Sequence, residues 1–201
     1  IGQGEDGPTH QPIETIASLR AIPQLTVLRP ADGTETSGAY KVAIENAKAN
    51  KPTLLALTRQ NVPNLAGTSL EGVAKGAYTL VDGNGTPDLI LIGTGSEVSL
   101  CVTAAEKLAA EGKKVRVVSM PSWELFEAQD AAYRESVLPK AVTKRLSVEA
   151  GCSMGWHKYV GTEGDVVSIE RFGASAPGGT CLKEFGFSVE NVLAKAKALL
   201  G

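Results

Sequence analysis

The chain has 201 residues, of which 43% are hydrophobic and 21% charged, and its net charge is -2. These values are typical of a folded globular protein and exclude disorder and a strongly basic surface for nucleic acid or anionic membranes. The apolar runs are too short to span a bilayer. Three cysteines and two histidines, all widely spaced, favour neither a disulfide framework nor a zinc site.

The chain opens on a polar loop, GEDGPTHQP at 4–12, in which glycines and prolines shape the backbone around two carboxylates and one histidine. An imidazole can bind hydroxyl and carbonyl oxygens or exchange protons with them near neutral pH. A carboxylate can accept a hydrogen bond from a hydroxyl. Asp6 and His10 are therefore candidate ligands of a polyol substrate, and a turn with solvated charges is the alternative.

A strand, a helix and a second strand follow this loop. Residues 25–30 are a short apolar run ended by proline, and residues 53–58 form a second run, so both indicate buried strands. Asp32 and Glu35 predict a capping box for the helix between them, which ends at Asn50. Such a βαβ unit implies a parallel sheet.

Arg59 comes directly after the second predicted strand. Ligands of open α/β sheets collect at the carboxyl ends of the strands. A guanidinium group suits a phosphate there because it can donate two parallel hydrogen bonds. Arg59 is therefore a candidate phosphate ligand, with a surface ion pair as an equally weighted alternative.

Residues 59–87 are rich in glycine and proline and show no sustained period, apart from one candidate strand at 77–82, so a domain boundary is expected there. From residue 88 onward, strands are predicted at 88–92, 114–120, 145–151 and 166–173. Helices are predicted at 96–112, at 153–160 and from Ser188 to the end, and 121–139 is helical or irregular. This pattern indicates a complete second α/β domain.

The turn at 93–98, GTGSEV, follows a strand and precedes a helix. Gly93 and Gly95 match the first two positions of a dinucleotide-binding motif, but the third position is Val98. The next strand also ends without the acid that binds a ribose. A structural turn is the favoured interpretation. A non-catalytic dimerisation or anion-binding module is the alternative function that this turn keeps open.

Five strings in this order, across the whole chain, resemble transketolase: GEDGPTHQPIE at 4–14, LTVLRPADGTET at 25–36, LTRQN at 57–61, LIGTGSEV at 91–98 and RFGASAPGG at 171–179. Residues 121–139 and 147–161 look closest to the plant, algal and cyanobacterial branch. The resemblance implies an α/β fold in three parts: the second half of a parallel-sheet pyrimidine-binding domain at 1–68, a linker at 69–84, and a complete Rossmann-like transketolase C-terminal domain at 85–201.

The resemblance also implies an enzyme, a transferase that reversibly moves a two-carbon ketol unit from a ketose phosphate to an aldose phosphate. Asp6 matches the family's aspartate that contacts a donor hydroxyl. His10 matches a histidine that binds substrate and assists proton transfer, and is the predicted catalytic residue. Arg59 matches the arginine that binds the sugar phosphate. Glu5 matches the motif without an assigned role.

The family's cofactors are thiamine diphosphate and Mg²⁺ or Ca²⁺. The family residues that bind them do not occur in this sequence, so no residue here is predicted to bind cofactor or metal, and the chain alone is expected to be inactive. The resemblance implies a homodimer with its active site between subunits, and no nucleic-acid or membrane partner. It implies a role in the pentose phosphate pathway or Calvin cycle, in the chloroplast stroma or otherwise in the cytoplasm.

Overall fold

The computed structural model describes all 201 residues and contains two β-sheets. Seven strands form them: β1 (Thr26–Leu28), β2 (Thr53–Leu55), β3 (Tyr78–Val81), β4 (Leu89–Gly93), β5 (Val115–Ser119), β6 (Arg145–Val148) and β7 (Asp165–Val167). Nine helices accompany them: α1 (Thr15–Arg20), α2 (Gly33–Lys48), α3 (Leu70–Lys75), α4 (Val98–Ala110), α5 (Trp123–Glu127), α6 (Ala131–Val137), α7 (His157–Val160), α8 (Gly178–Glu184) and α9 (Val189–Leu200). Single 3₁₀ turns cover Gly4–Asp6, Pro8–His10 and Gly95–Glu97. None of the helices is both long and apolar enough to cross a bilayer.

The first sheet is the parallel pair that the sequence predicts. Strands β1 and β2 lie side by side with Thr26 opposite Thr53, and α2 connects them. The predicted helix cap is confirmed, because the Asp32 carboxylate accepts the N–H of Glu35 at 2.9 Å. The return bond of the capping box differs: the Glu35 carboxylate accepts the N–H of Ala31 at 2.7 Å instead of that of Asp32.

The second sheet has the strand order β3-β5-β4-β6-β7, and every pair is parallel except β3 with β5. The central strand β4 is covered on both faces. Leu89 and Leu91 pack in a core with α4 and α9, while Ile90 and Ile92 pack in a second core with α5, α6 and α7. Burial on both faces explains why this strand is a continuous apolar run.

Three short helices, α1, α3 and α8, are not predicted by the sequence pattern, and β7 is shorter than the predicted strand at 166–173. Helices of six or seven residues span fewer than two turns, so they leave little periodicity to detect. The segment 69–84, expected to be a linker, contains α3 and β3. The Ser69 hydroxyl accepts the N–H of Gly72 to cap α3, and Tyr78 of β3 pairs with Ser119 of β5.

A buried ion cluster joins the two sheets. Glu149, directly after β6, accepts hydrogen bonds from both terminal nitrogens of Arg20 at 2.7 and 2.9 Å and from Arg29 at 2.9 Å. The indole N–H of Trp156 donates to the same carboxylate at 2.7 Å. The Arg20 guanidinium also lies over the ring of Trp123, 4.0 Å from its centroid. Arg20 and Arg29 belong to the side of the first sheet, and Glu149 belongs to the second.

This environment controls the ionisation of Glu149. Burial by itself would raise the pKa of the carboxyl, but Arg20 and Arg29 outweigh burial and lower the pKa to about 2. The pKa of an unperturbed glutamate side chain is about 4.3. The ionised carboxylate therefore stabilises the fold fully above the unfolded pKa, and this contribution is lost as the pH falls through the folded pKa.

Replacing Glu149 by Gln is expected to lower the free energy of unfolding at pH 7 by about 3–5 kcal/mol, because the buried Arg20 loses its charged partner and Arg29 loses one of its two. The variant is also expected to lose less stability than the wild type between about pH 4.5 and 2. Urea unfolding at several pH values measures both effects. Glu163→Gln, at an exposed carboxylate, is the matched control and should change stability by less than about 0.5 kcal/mol. An equal loss of unfolding free energy in the two variants would contradict the stabilising role of Glu149.

Candidate functional site

A cavity of about 230 Å³ lies where β1 and β2 end. Arg29 directly follows β1, and the chain after β2 contributes residues 56–60, which include Arg59. His10 lines the cavity from the opening loop, and Ser96 and Glu97 line it from the turn after β4. Because these strands are parallel within each sheet, their carboxyl ends bring loops that are distant in sequence to one place.

His10 ends the single 3₁₀ turn Pro8–His10 and is exposed. Its Nδ1 lies 3.0 Å from the hydroxyl of Thr9, and its Nε2 makes no hydrogen bond within the chain. Gly4 bends the backbone before this turn with a φ of 51°. A Cβ there would lie 2.5 Å from the backbone nitrogen of Gly178, so the close approach of these two segments requires glycine.

Two side chains hold the opening loop against residues 173–178. The amide of Gln11 is buried; it donates to the carbonyl of Gly4 at 3.2 Å and to that of Ala174 at 3.1 Å. Its oxygen accepts the N–H of Ala174 at 3.0 Å. The Ser175 hydroxyl donates to the carbonyl of Glu5 at 2.6 Å. The conformation of the loop that carries His10 thus depends on residues near the other end of the chain.

Arg59 is exposed and forms neither an ion pair nor a side-chain hydrogen bond. Its neighbours are held in place: the Thr58 hydroxyl donates to the Gln60 side-chain oxygen, and the Gln60 amide donates to the Ser96 hydroxyl at 3.1 Å. The guanidinium group is therefore an unneutralised cation on an anchored loop, next to the cavity.

Asp6 is exposed on the same loop as His10, but it is not among the residues that line the cavity. Its side chain has no partner within the chain, and neither does that of Glu5. The structure thus brings two of the three predicted site residues, His10 and Arg59, to one cavity and leaves Asp6 outside its lining.

Arg29 is a cavity residue that the sequence analysis did not select. It directly follows β1, at the carboxyl end of a strand, where ligands of α/β sheets collect, and that position was the signal available in the sequence. Arg59 lies further along its loop, four residues after β2 ends. Burial would lower the pKa of Arg29, but Glu97 and Glu149 outweigh burial and raise it. Its terminal nitrogens lie 3.1 Å from Glu97 and 2.9 Å from Glu149. Two carboxylates thus offset the charge of Arg29, so Arg59 is the cation with free donors for an anionic ligand.

The glycine turn after β4 is explained by close packing. A Cβ on Gly93 would lie 2.8 Å from the Cα of Val98, and a Cβ on Gly95 would lie 3.0 Å from a nitrogen of Arg29. Gly95 also has a φ of 61°, a conformation that favours glycine. The Arg29 guanidinium occupies the space beside this turn.

Sequence models of two families match the chain: "Transketolase-like TK C-terminal domain" at residues 76–188 and "Transketolase, pyrimidine binding domain" at residues 1–64. A transketolase from Nostoc is 81% identical over 201 residues, covering 100% of this chain and 30% of the relative. A chloroplastic transketolase from Zea mays is 58% identical over 200 residues, covering 98% of this chain and 29% of the relative.

A solved structure of transketolase from Pichia stipitis, in complex with sedoheptulose-7-phosphate, is also similar. Its TM-score is 0.90 at 48% identity, over 99% of this chain and 28% of that chain. This chain thus spans about 30% of the length of the curated relatives that it matches. Because the C-terminal-domain family matches more than half of the chain, the chain belongs to the transketolase family.

Proposed function

We propose that this chain supplies sugar-phosphate-binding residues to a transketolase, which transfers a two-carbon ketol unit from a ketose phosphate to an aldose phosphate. The observation that carries this proposal is the meeting of an unneutralised arginine, Arg59, and an exposed imidazole, His10, at one cavity. Membership of the transketolase family supports the reaction. The solved relative in complex with sedoheptulose-7-phosphate supports the substrate class.

Each residue has a role that follows from its chemistry. Arg59 binds the phosphate of the sugar, because its guanidinium has free donors and no competing carboxylate. His10 binds a substrate oxygen through Nε2, which has no partner within the chain, and exchanges a proton with it as a general acid or base. Asp6 accepts a hydrogen bond from a donor hydroxyl that extends beyond the cavity lining.

The family's cofactor, thiamine diphosphate with Mg²⁺ or Ca²⁺, would supply the nucleophile of the ketol transfer when bound in the full-length enzyme. No three His, Cys, Asp or Glu side chains of this chain cluster in a way that could hold a metal ion. The residues present therefore do not fit the metal site, and we assign none of them to the cofactor. Their contribution is to bind and orient the sugar phosphate.

The proposal extends to the assembly and its cellular setting. It includes a homodimer with the active site between subunits, and domains at 1–68 and 85–201 joined by 69–84. It also includes a role in the pentose phosphate pathway or Calvin cycle, in the chloroplast stroma or otherwise in the cytoplasm. The chloroplastic Zea mays relative supports the first location, at 58% identity. The alternative of an anion-binding module is not favoured, because Arg29 occupies the space beside the Gly95 turn.

Replacing Arg59 by Ala in the full-length enzyme is expected to raise KM for phosphorylated substrates by about 10- to 100-fold, because a charge-assisted contact to the phosphate is lost. The rate with an unphosphorylated ketose should stay unchanged. Steady-state kinetics with both substrate types measure this selectivity. Arg134→Ala, on α6 and outside the cavity, is the matched control and should leave both rates unchanged. An unaltered preference for phosphorylated sugars in the Arg59 variant would refute the role.

Replacing Asp6 by Ala is expected to reduce the discrimination between donors that carry a hydroxyl next to the reacting carbons and donors that lack it. We expect a fall of about 10-fold in the ratio of their kcat/KM values, because the hydroxyl loses its charged acceptor. Competition between the two donors gives this ratio directly. Glu5→Ala changes the adjacent carboxylate and should leave the ratio intact. A constant ratio in the Asp6 variant would exclude donor recognition by this residue.

A further inference from the structure

We propose that the transketolase-like C-terminal domain, residues 76–188, is a positioning element of the sugar-phosphate site. It holds the two loops that carry the predicted ligands through two separate contacts. In the first contact, residues 173–178 hold the opening loop at 4–12. In the second, Ser96 holds the loop at 58–60. This inference rests on the proposed function of those loops.

The first contact is built around the buried side chain of Gln11. Its amide group satisfies three backbone partners: the carbonyls of Gly4 and Ala174 and the N–H of Ala174. A side chain that joins its own loop to a segment 163 residues away restricts both of them. Gln11 is adjacent in sequence to His10, so a shift of Gln11 moves the imidazole directly.

Ser175 completes this contact from the side of the C-terminal domain. Its hydroxyl donates to the carbonyl of Glu5 at 2.6 Å, next to Asp6. The segment is itself fixed to α8, because the Cys181 thiol lies 3.3 Å from the carbonyl of Ala174 and 3.5 Å from that of Ala176. The contact therefore connects the backbone beside Asp6 to a helix of the C-terminal domain.

The second contact passes through Ser96. Its hydroxyl accepts from the Gln60 amide at 3.1 Å and donates to the carboxylate of Glu97. Glu97 in turn accepts the N–H of Ala150 at 3.0 Å and pairs with Arg29 at 3.1 Å. Gln60 is adjacent to Arg59. The orientation of the loop that presents the free guanidinium thus depends on a buried network of the C-terminal domain.

The first contact holds the backbone carbonyl of Glu5, next to Asp6, and the second holds the side chain of Gln60, next to Arg59. Because both act on residues adjacent to exposed ligands, their expected effect is to position those ligands. Asp6 and Arg59 have no side-chain partners of their own, so only the loop backbone orients them. Ligand groups that are misplaced by about 1 Å reduce rates strongly even when every reacting group is present. Because the two contacts use different segments of the C-terminal domain, their effects are expected to be separable.

The test uses two single-hydroxyl deletions, Ser175→Ala and Ser96→Ala, in the full-length enzyme loaded with its cofactor. Ser175→Ala is expected to lower kcat/KM by about 3- to 10-fold for phosphorylated and unphosphorylated donors alike. Ser96→Ala is expected to raise KM by about 3- to 10-fold for phosphorylated substrates only, with kcat unchanged. Ser175→Thr and Ser96→Thr keep the hydroxyl and should restore most of the lost activity.

Ser136→Ala is the matched control, because this exposed hydroxyl donates only to the carbonyl of Tyr133 within its own helix. It should leave all kinetic values unchanged. Wild-type kinetics in both test variants would overturn the proposal. So would losses in both variants that follow the midpoint of unfolding, since these indicate a structural role alone.

Hydrogen exchange measured by mass spectrometry separates this proposal from the proposed function. Faster amide exchange in residues 4–10 of Ser175→Ala, and in residues 58–60 of Ser96→Ala, would support positioning even if the wild-type enzyme transferred no ketol unit. In that case the proposed function fails and the positioning contacts stand. Unchanged exchange in both loops would overturn the positioning role whatever the activity.

Discussion

The buried carboxylate of Glu149 is the group on which the arrangement of the two sheets depends. It accepts hydrogen bonds from two arginines on the side of the first sheet and from one indole N–H on its own side. A second buried carboxylate, Glu35, also joins the sheets, but its acceptor lies on the side of the first sheet. It belongs to α2 and accepts hydrogen bonds from Tyr78 and Ser119 of the second sheet. Burial raises the pKa of Glu35, whose partners are neutral, whereas guanidinium groups lower that of Glu149. Burial favours the neutral form of both carboxyl groups, and only the charged partners of Glu149 reverse that preference.

This junction determines where a ligand can be bound. Loops from the opening segment, from the end of β2 and from the turn after β4 meet at one cavity only because the two sheets are held together. Two arginines reach this cavity: Arg29 directly follows β1, and Arg59 lies on the loop four residues after β2 ends. Arg29 is not available to a ligand, because its ion pairs with Glu97 and Glu149 offset its charge. Arg59 has no carboxylate partner, so it is the arginine at this cavity whose donors remain free.

The C-terminal domain contacts the loops that carry the predicted ligands. It does not supply the predicted ligands Asp6, His10 and Arg59, but it contacts the residue beside each of them: the carbonyl of Glu5, the side chain of Gln11 and the side chain of Gln60. The strings RFGASAPGG and LIGTGSEV, which have no assigned ligand, then have a physical reason for their composition. They allow close approach of the backbone at Gly178 and Gly95 and supply the hydroxyls of Ser175 and Ser96.

The sequence by itself determined the elements with a strong local signal: the parallel βαβ unit, the Asp32 cap, the doubly buried strand β4 and the long helices α4 and α9. Their apolar periodicity and capping residues lie within a few positions of one another, so they can be read along the chain. It also indicated Arg59 and His10, through their position and chemistry. Only the tertiary structure decided that these two share a cavity, that Asp6 lies outside its lining, and that Arg29 is neutralised. Those outcomes depend on partners such as Glu149 and Ala174, 120 and 163 residues away in sequence, and no local pattern records such pairings.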